Sequence, residues 1–228
     1  LDRISSDSHG AFITVTADSA LAQAAAVDAT AITERPTFAG VPMAVKDLTS
    51  TAGVRTTMGS VLLADNVPTQ NAWVVELAEQ AGFISLGKTN TPEFGLSSYT
   101  DNGLIGPAKT PADPSRNAGG SSGGAAAAVA AGLVPLALGS DGGGSIRIPA
   151  SCCGVVGFKA SRGRISPGPE SPAWSGLATD GALTRTVRDA ALMLDVLARP
   201  MPGDSRTWPR PPEPFSLALR EAPEPLMI

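Results

Sequence analysis

The sequence is poor in the residue types that most often carry chemistry. It has one histidine, His9, and two cysteines, Cys152 and Cys153, in 228 residues. A lone histidine with two adjacent cysteines does not complete a zinc site of the usual kind. Adjacent cysteines are also badly placed to pair with each other, which fits a reducing compartment and points to the cytoplasm. Basic charge is not in excess: 17 lysines and arginines stand against 21 acidic residues, for a net charge of −4 and an isoelectric point near 5.0. Nucleic acid and anionic membrane surfaces are therefore not expected partners. No stretch approaches the ~20 apolar residues of a membrane-spanning helix, and no internal repeat is visible.

What remains is an ordinary globular profile, 43% hydrophobic and 17% charged. Such a chain can bury a substantial core in one large domain or two smaller ones. It opens on Leu1 rather than methionine and ends on the apolar Leu226-Met227-Ile228. It reads as part of a longer protein, and whether a targeting segment was removed stays open.

Helix and strand patterns alternate along the chain. Asp18 to Ala31 predicts an alanine-rich helix capped by Asp18 or Ser19. Gly40 to Val45 predicts a short buried strand that delivers Lys46 and Asp47. Asn71 to Ala81 predicts an amphipathic helix stopped by Gly82, followed by a strand from Phe83 to Leu86. Gly123 to Ala131 predicts a tight alanine helix ended by Gly132, then a strand from Val134 to Leu138. Arg185 to Ala198 predicts an amphipathic helix capped near Thr184 or Thr186. This alternation specifies an α/β fold with a largely parallel or mixed sheet. Eight of the 20 prolines fall beyond Arg199, so residues 200–228 read as a surface connection rather than core.

Two patterns invite readings that the surrounding residues do not support. Gly82 to Thr89 matches the phosphate-binding loop, but its interior, Phe83-Ile84-Ser85-Leu86, is strand-like and Pro92 suits no uninterrupted helix. The serine cluster matches the nucleophile elbow around both Ser121 and Ser122, yet that triad needs a histidine after its serine. His9 lies well before it and reads as a surface residue beside a turn.

The densest chemistry lies in two glycine–serine clusters, Gly119 to Gly124 and Gly142 to Ser145, on either side of an alanine run. Three glycines ahead of Ser145 leave unobstructed N–H groups that can converge on a developing oxyanion, the donor set acyl transfer needs. Unless a further carboxyl part supplies a histidine, this narrows the choice of base, and the chain has four lysines, Lys46, Lys88, Lys109 and Lys159. A lysine acts as a base only when neutral, which takes a pKa lowered from ~10.4 to ~7–8 by burial, or about 4 kcal/mol of environment. Val41, Met43, Ala44, Val45 and Leu48 give Lys46 an apolar setting, whereas Lys88 has polar neighbours. A salt bridge at a strand end remains the competing reading for Lys46. Ser121 and Ser122 would otherwise cap the alanine helix, and Asp141 and Arg147 would brace the loop.

Five segments together resemble the amidase signature family: GVPMAVKD at 40–47, GKTNTPEFG at 87–95, GGSSGG at 119–124, GSDGGGSIRIPA at 139–150 and CGVVGFKASRGRIS at 153–166. Within that family, GSDGGGSIRIPA at 139–150 and RGRISPGP at 162–169 resemble bacterial general amidases and aminohexanoate cyclic-dimer hydrolases. The resemblance implies that family's α/β fold, a mixed, mostly parallel sheet flanked by helices, here incomplete at both ends. Residues 1–199 would be the partial catalytic core, and 200–228 would lead towards a carboxyl-terminal part that completes the acyl pocket. It further implies hydrolysis of a linear or cyclic carboxylic amide by a Ser-cisSer-Lys triad, without a metal or organic cofactor. By position, Ser145 resembles the nucleophile, Ser121 the bridging serine and Lys46 the base. The oxyanion hole would be the N–H groups of Gly142, Gly143, Gly144 and Ser145, with Ser122, Asp141 and Arg147 in support. Gly142 replaces the threonine or isoleucine more usual there, a change expected to loosen the loop. The implied partner is a small-molecule amide, and homodimerisation is left open. Two alternatives stand beside this reading. One is the A component of an aminoacyl-tRNA amidotransferase, disfavoured by Ile148 where those proteins usually have glutamine. The other is a non-catalytic fragment or pseudoenzyme.

Overall fold

The computed structural model describes residues 1–169 and 173–219. Its strands are β1 (Phe12–Val15), β2 (Pro42–Lys46), β3 (Ile84–Thr89), β4 (Leu136–Asp141), β5 (Val156–Gly157) and β6 (Thr179–Thr184). Its α-helices are α1 (Asp2–Ser5), α2 (Ala17–Ala29), α3 (Trp73–Gln80), α4 (Gly123–Ala130), α5 (Arg147–Cys153) and α6 (Val187–Leu197). The strands form one mixed sheet in the order β1-β3-β2-β4-β6-β5. The central pairs β3–β2 and β2–β4 are parallel, and the pairs at both flanks are antiparallel. Four of the six strands thus run one way, as the α/β reading requires.

Side chains alternate across a strand, and β2 and β4 use both faces. Met43 and Val45 of β2, with Leu136 and Leu138 of β4, pack on α3 and α6 through Val74, Val75, Leu77, Met193, Leu194 and Leu197. Burying a side chain of this size contributes ~1.5–3 kcal/mol, so this face supplies much of the stability. Ala44 and Ala137 point the other way, onto the alanines of α4 and onto Ile146 and Ala150. Small residues on both partners let α4 lie close to the sheet. The period-two pattern then places Lys46, two residues beyond Ala44, on that same side, beneath the amino end of α4.

Gly124 shows how close α4 approaches. A Cβ there would stand 2.3 Å from Asn90 N and 2.5 Å from Ala11 O, both backbone atoms that cannot step aside. Gly124 N–H itself donates to Asn90 O at 3.1 Å. Gly124→Ala is expected to cost ~1–3 kcal/mol or more by overpacking, read as a lower thermal midpoint despite alanine's better helix propensity. An unchanged midpoint would mean that α4 does not sit this close.

Several sequence expectations shift at their edges. The first long helix starts at Ala17 with Thr16 as its N-cap, and no side chain caps it; Asp18 lies inside the first turn. The strand expected over residues 83–86 runs to Thr89, so Gly87, Lys88 and Thr89 are extended and no helix begins at the lysine. Thr186 caps α6, accepting from Asp189 N. His9 is half-buried rather than a plain surface residue, because Asp7 Oδ1 holds its Nδ1 at 2.7 Å. Both cysteines are free, and among the described residues no helix is long and apolar enough to cross a membrane. Beyond Arg199, Phe215 packs against the α3–α6 core, its N–H and that of Ser216 donating to Asp195. Residues 220–228, with the final apolar run, lie outside the described residues.

Candidate active site

The site is assembled where β2 and β4 end against the amino end of α4. Lys46 is the last residue of β2 and is fully buried, 0% exposed. Its Nζ lies 2.8 Å from Ser121 Oγ and donates to Ser140 Oγ at 3.2 Å and Ser140 O at 3.4 Å. Burial lowers its pKa to about 7, with the Asp180 and Asp141 carboxylates pulling the other way. Near pH 7 the amine is therefore half neutral, with its lone pair beside a hydroxyl. Among the described residues no carboxylate pairs with Nζ, whose bonds go to serine oxygens, so the geometry does not favour the competing salt-bridge reading.

Ser121 is buried in the turn ahead of α4, and the Gly120–Ser121 peptide is cis. Thr91 Oγ1 donates to its carbonyl at 3.0 Å. Ser122 is the N-cap of α4, but its side chain makes no cap bond. Its Oγ donates to Ser140 O at 3.3 Å instead, and its N–H donates to Ser145 O at 3.1 Å. The backbone of the paired serines thus holds Ser145 directly. Ser145 is partly buried, beside the exposed Gly143.

Asp141, at the end of β4, organises the loop that carries Ser145. Its buried carboxylate accepts from Gly144 N at 2.7 Å, Ile146 N at 3.2 Å and Arg147 N at 3.3 Å. The Arg147 guanidinium adds Nε at 2.9 Å and a terminal nitrogen at 3.0 Å, and Lys159 Nζ stands 3.3 Å away. Burial alone would raise this carboxyl, but the Arg147 side chain and the three N–H groups outweigh it and hold the pKa well below the usual carboxylate range.

This geometry corrects one sequence expectation. Gly144 N–H is engaged by Asp141 and is not a free oxyanion donor. Among the described residues, the N–H groups of Gly142, Gly143 and Ser145 have no protein acceptor. At Gly142, where a looser loop is expected from the sequence, Lys159 Nζ donates to Gly142 O at 2.8 Å and to Leu177 O at 3.1 Å while pairing with Asp141.

Sequence reasoning misses Ser140, names Lys159 only among the candidate bases without its place at the loop, and weighs Lys88 on its polar neighbours in sequence alone. Lys88 is as buried as Lys46. Its Nζ is bound by Thr49 O and, at 2.9 Å each, by Thr51 Oγ1 and Thr56 Oγ1. These bonds tie down the segment after β2 and leave Lys46 as the lysine that faces the serines.

Three comparisons bear on this site. The amidase family profile matches residues 1–228. A putative amidase of Synechocystis sp. is 47% identical over 193 residues, 85% of this chain and 38% of that protein. The A component of the glutamyl-tRNA(Gln) amidotransferase of Chromohalobacter salexigens is 49% identical over 188 residues, 82% of this chain and 39% of that protein. The solved structure of 6-aminohexanoate cyclic dimer hydrolase superposes with a TM-score of 0.86 at 39% identity, covering 93% of this chain and 44% of the hydrolase. The chain spans about two fifths of the length of these relatives.

Proposed function

The chain belongs to the amidase family, and on that premise we propose that it hydrolyses a small carboxylic amide through an acyl-enzyme on Ser145. The observation that carries this reading is a fully buried lysine with a pKa of about 7, set 2.8 Å from a serine hydroxyl. Neutral Lys46 takes the Ser121 hydroxyl proton while Ser121 takes that of Ser145. Ser145 Oγ then bonds to the carbonyl carbon. The resulting oxyanion is received by the N–H groups of Gly142, Gly143 and Ser145, each such donor being worth on the order of 3 kcal/mol. Collapse breaks the C–N bond, and the proton returns through Ser121 to the departing nitrogen. A water deprotonated by the same relay cleaves the ester, releasing the acid and restoring Ser145.

Intact-mass labelling with a fluorophosphonate, followed by peptide mapping, tests this. A single adduct is expected on Ser145, absent in Lys46→Ala. Its rate should follow the neutral fraction of Lys46, flat above pH 7 and falling about tenfold per pH unit below it. No adduct on a cooperatively folded chain would leave the non-catalytic reading. An adduct with a flat profile down to pH 5 would place the base elsewhere.

The 49% identity to an amidotransferase A component favours a second reading, in which the liberated nitrogen serves aminoacyl-tRNA amidation. Ile148 in place of the usual glutamine weighs against it. A stable complex with a B-type amidotransferase component would reverse that preference.

A further inference from the structure

Trp174 occupies a place that the proposed mechanism does not use. It lies in the short 3-10 segment Ala173–Gly176, far along the chain from the Ser145 loop. Yet its six-membered ring lies directly on that loop. A Cβ at Gly142 would meet Trp174 Cε3 at 2.9 Å and Cζ3 at 3.0 Å, and one at Gly143 would lie 4.0 Å from Cζ3. Any larger residue at 142 would push the indole off. Gly142 is thus the residue whose missing side chain admits the ring.

The ring is held there at a cost. Trp174 and Ser175 both sit in the left-handed region, at φ +53° and +54°, where L-residues other than glycine are disfavoured. Lys159 tethers the segment, bonding Leu177 O and Gly142 O with one ammonium group. Despite these constraints the indole is 55% exposed. A large apolar group fixed against two of the free oxyanion donors, yet half open to solvent, is poorly explained as core packing. The two glycines it lies against, Gly142 and Gly143, carry two of the N–H groups that would receive the reacting carbonyl oxygen.

We propose that Trp174 is an apolar wall of the substrate site, which packs against an aromatic group flanking the scissile carbonyl and selects such amides over small ones. The inference rests on the amide-hydrolase reading. It assigns a specificity-determining residue and an aryl-bearing substrate class to the same site.

Protection of Ser145 from a methyl fluorophosphonate tests it, with benzamide, acetanilide and acetamide as competitors. On the wild-type chain at least one aromatic amide should protect at a concentration well below that of acetamide. Trp174→Ala should shrink that ratio about tenfold, the scale of one lost aromatic contact, while Trp174→Phe should keep most of it. Thermal midpoints of both variants report whether the fold is intact. If neither aromatic amide protects better than acetamide, or if Trp174→Ala leaves the ratio within twofold, the wall is refuted although Ser145 is still labelled. Absence of any Ser145 adduct in the wild type refutes the hydrolase reading instead, and this inference with it.

Discussion

Lys46→Met should unfold at a higher temperature than the wild-type chain at pH 6–7 while losing most of the proposed amide hydrolysis. An unfolded lysine titrates near 10.5, and the folded Lys46 near 7. Between these values the unfolded chain binds more protons, so wild-type stability rises with pH across that window. Below pH 7 the penalty of burying the amine is at its full size. A shift of this extent corresponds to ~4–5 kcal/mol. Methionine fills a similar volume without that penalty, though it leaves the buried Ser121 hydroxyl short of a partner at ~1–3 kcal/mol, while the partly exposed Ser140 hydroxyl can turn to water. Asp141 keeps Arg147 and Lys159 in the variant, so no buried carboxylate is stranded there. A net gain of ~1–3 kcal/mol follows, or several degrees in Tm for a chain of this size. Removing the proposed base should lower kcat/KM by ~10²–10⁴-fold or more. Differential scanning at pH 6, 8 and 10 checks the sign, because the advantage must shrink as pH approaches 10.5. A variant less stable at pH 6, or an advantage independent of pH, would mean that burial does not lower the Lys46 pKa. Stability given up at a residue that performs chemistry is the usual trade-off at active sites.

How much of this is legible in the sequence differs from residue to residue. The run Val41 to Val45 announces a buried strand, and strand periodicity alone puts Lys46 on the face of Ala44. The depth of Lys46's burial is not legible, since it depends on α4 lying close to the sheet through glycines and alanines remote in sequence. Lys88 shows the same limit from the other side: its polar surroundings are Thr49, Thr51 and Thr56, brought in by the segment after β2 rather than by its own neighbours. Three glycines in a row look unobstructed, which makes Gly144 resemble a donor to substrate. The contact that engages it is local, an aspartate bonding the N–H three residues on, a pattern short polar side chains commonly make. Lys159 and Trp174 reach the loop through tertiary packing, and nothing in the local sequence ties either to Gly142.

Asp141→Asn should be the most damaging isosteric change in the site, because one carboxylate holds the whole loop. Six donor atoms converge on it: the N–H groups of Gly144, Ile146 and Arg147, two guanidinium nitrogens and Lys159 Nζ. An asparagine amide keeps one acceptor oxygen and turns an NH₂ towards the remaining donors. Arg147 is 53% exposed and can relax into water, but Lys159 is only 21% exposed. Breaking a buried pair in this way costs ~3–5 kcal/mol. The unpaired loop should no longer hold the Gly142, Gly143 and Ser145 N–H groups in a common direction, and losing one such donor lowers kcat by ~10²–10³-fold. The pH dependence separates this mechanism from general damage. Asp141's folded pKa is depressed, so its contribution is complete above the unfolded carboxylate pKa and is lost only as pH falls through the lower folded value. Wild type and variant should therefore differ by a constant amount from pH 5 to 8 and converge only in strong acid. A difference that closes near pH 6 would assign the effect to another group, and a variant of wild-type stability would mean that the loop stands without its carboxylate.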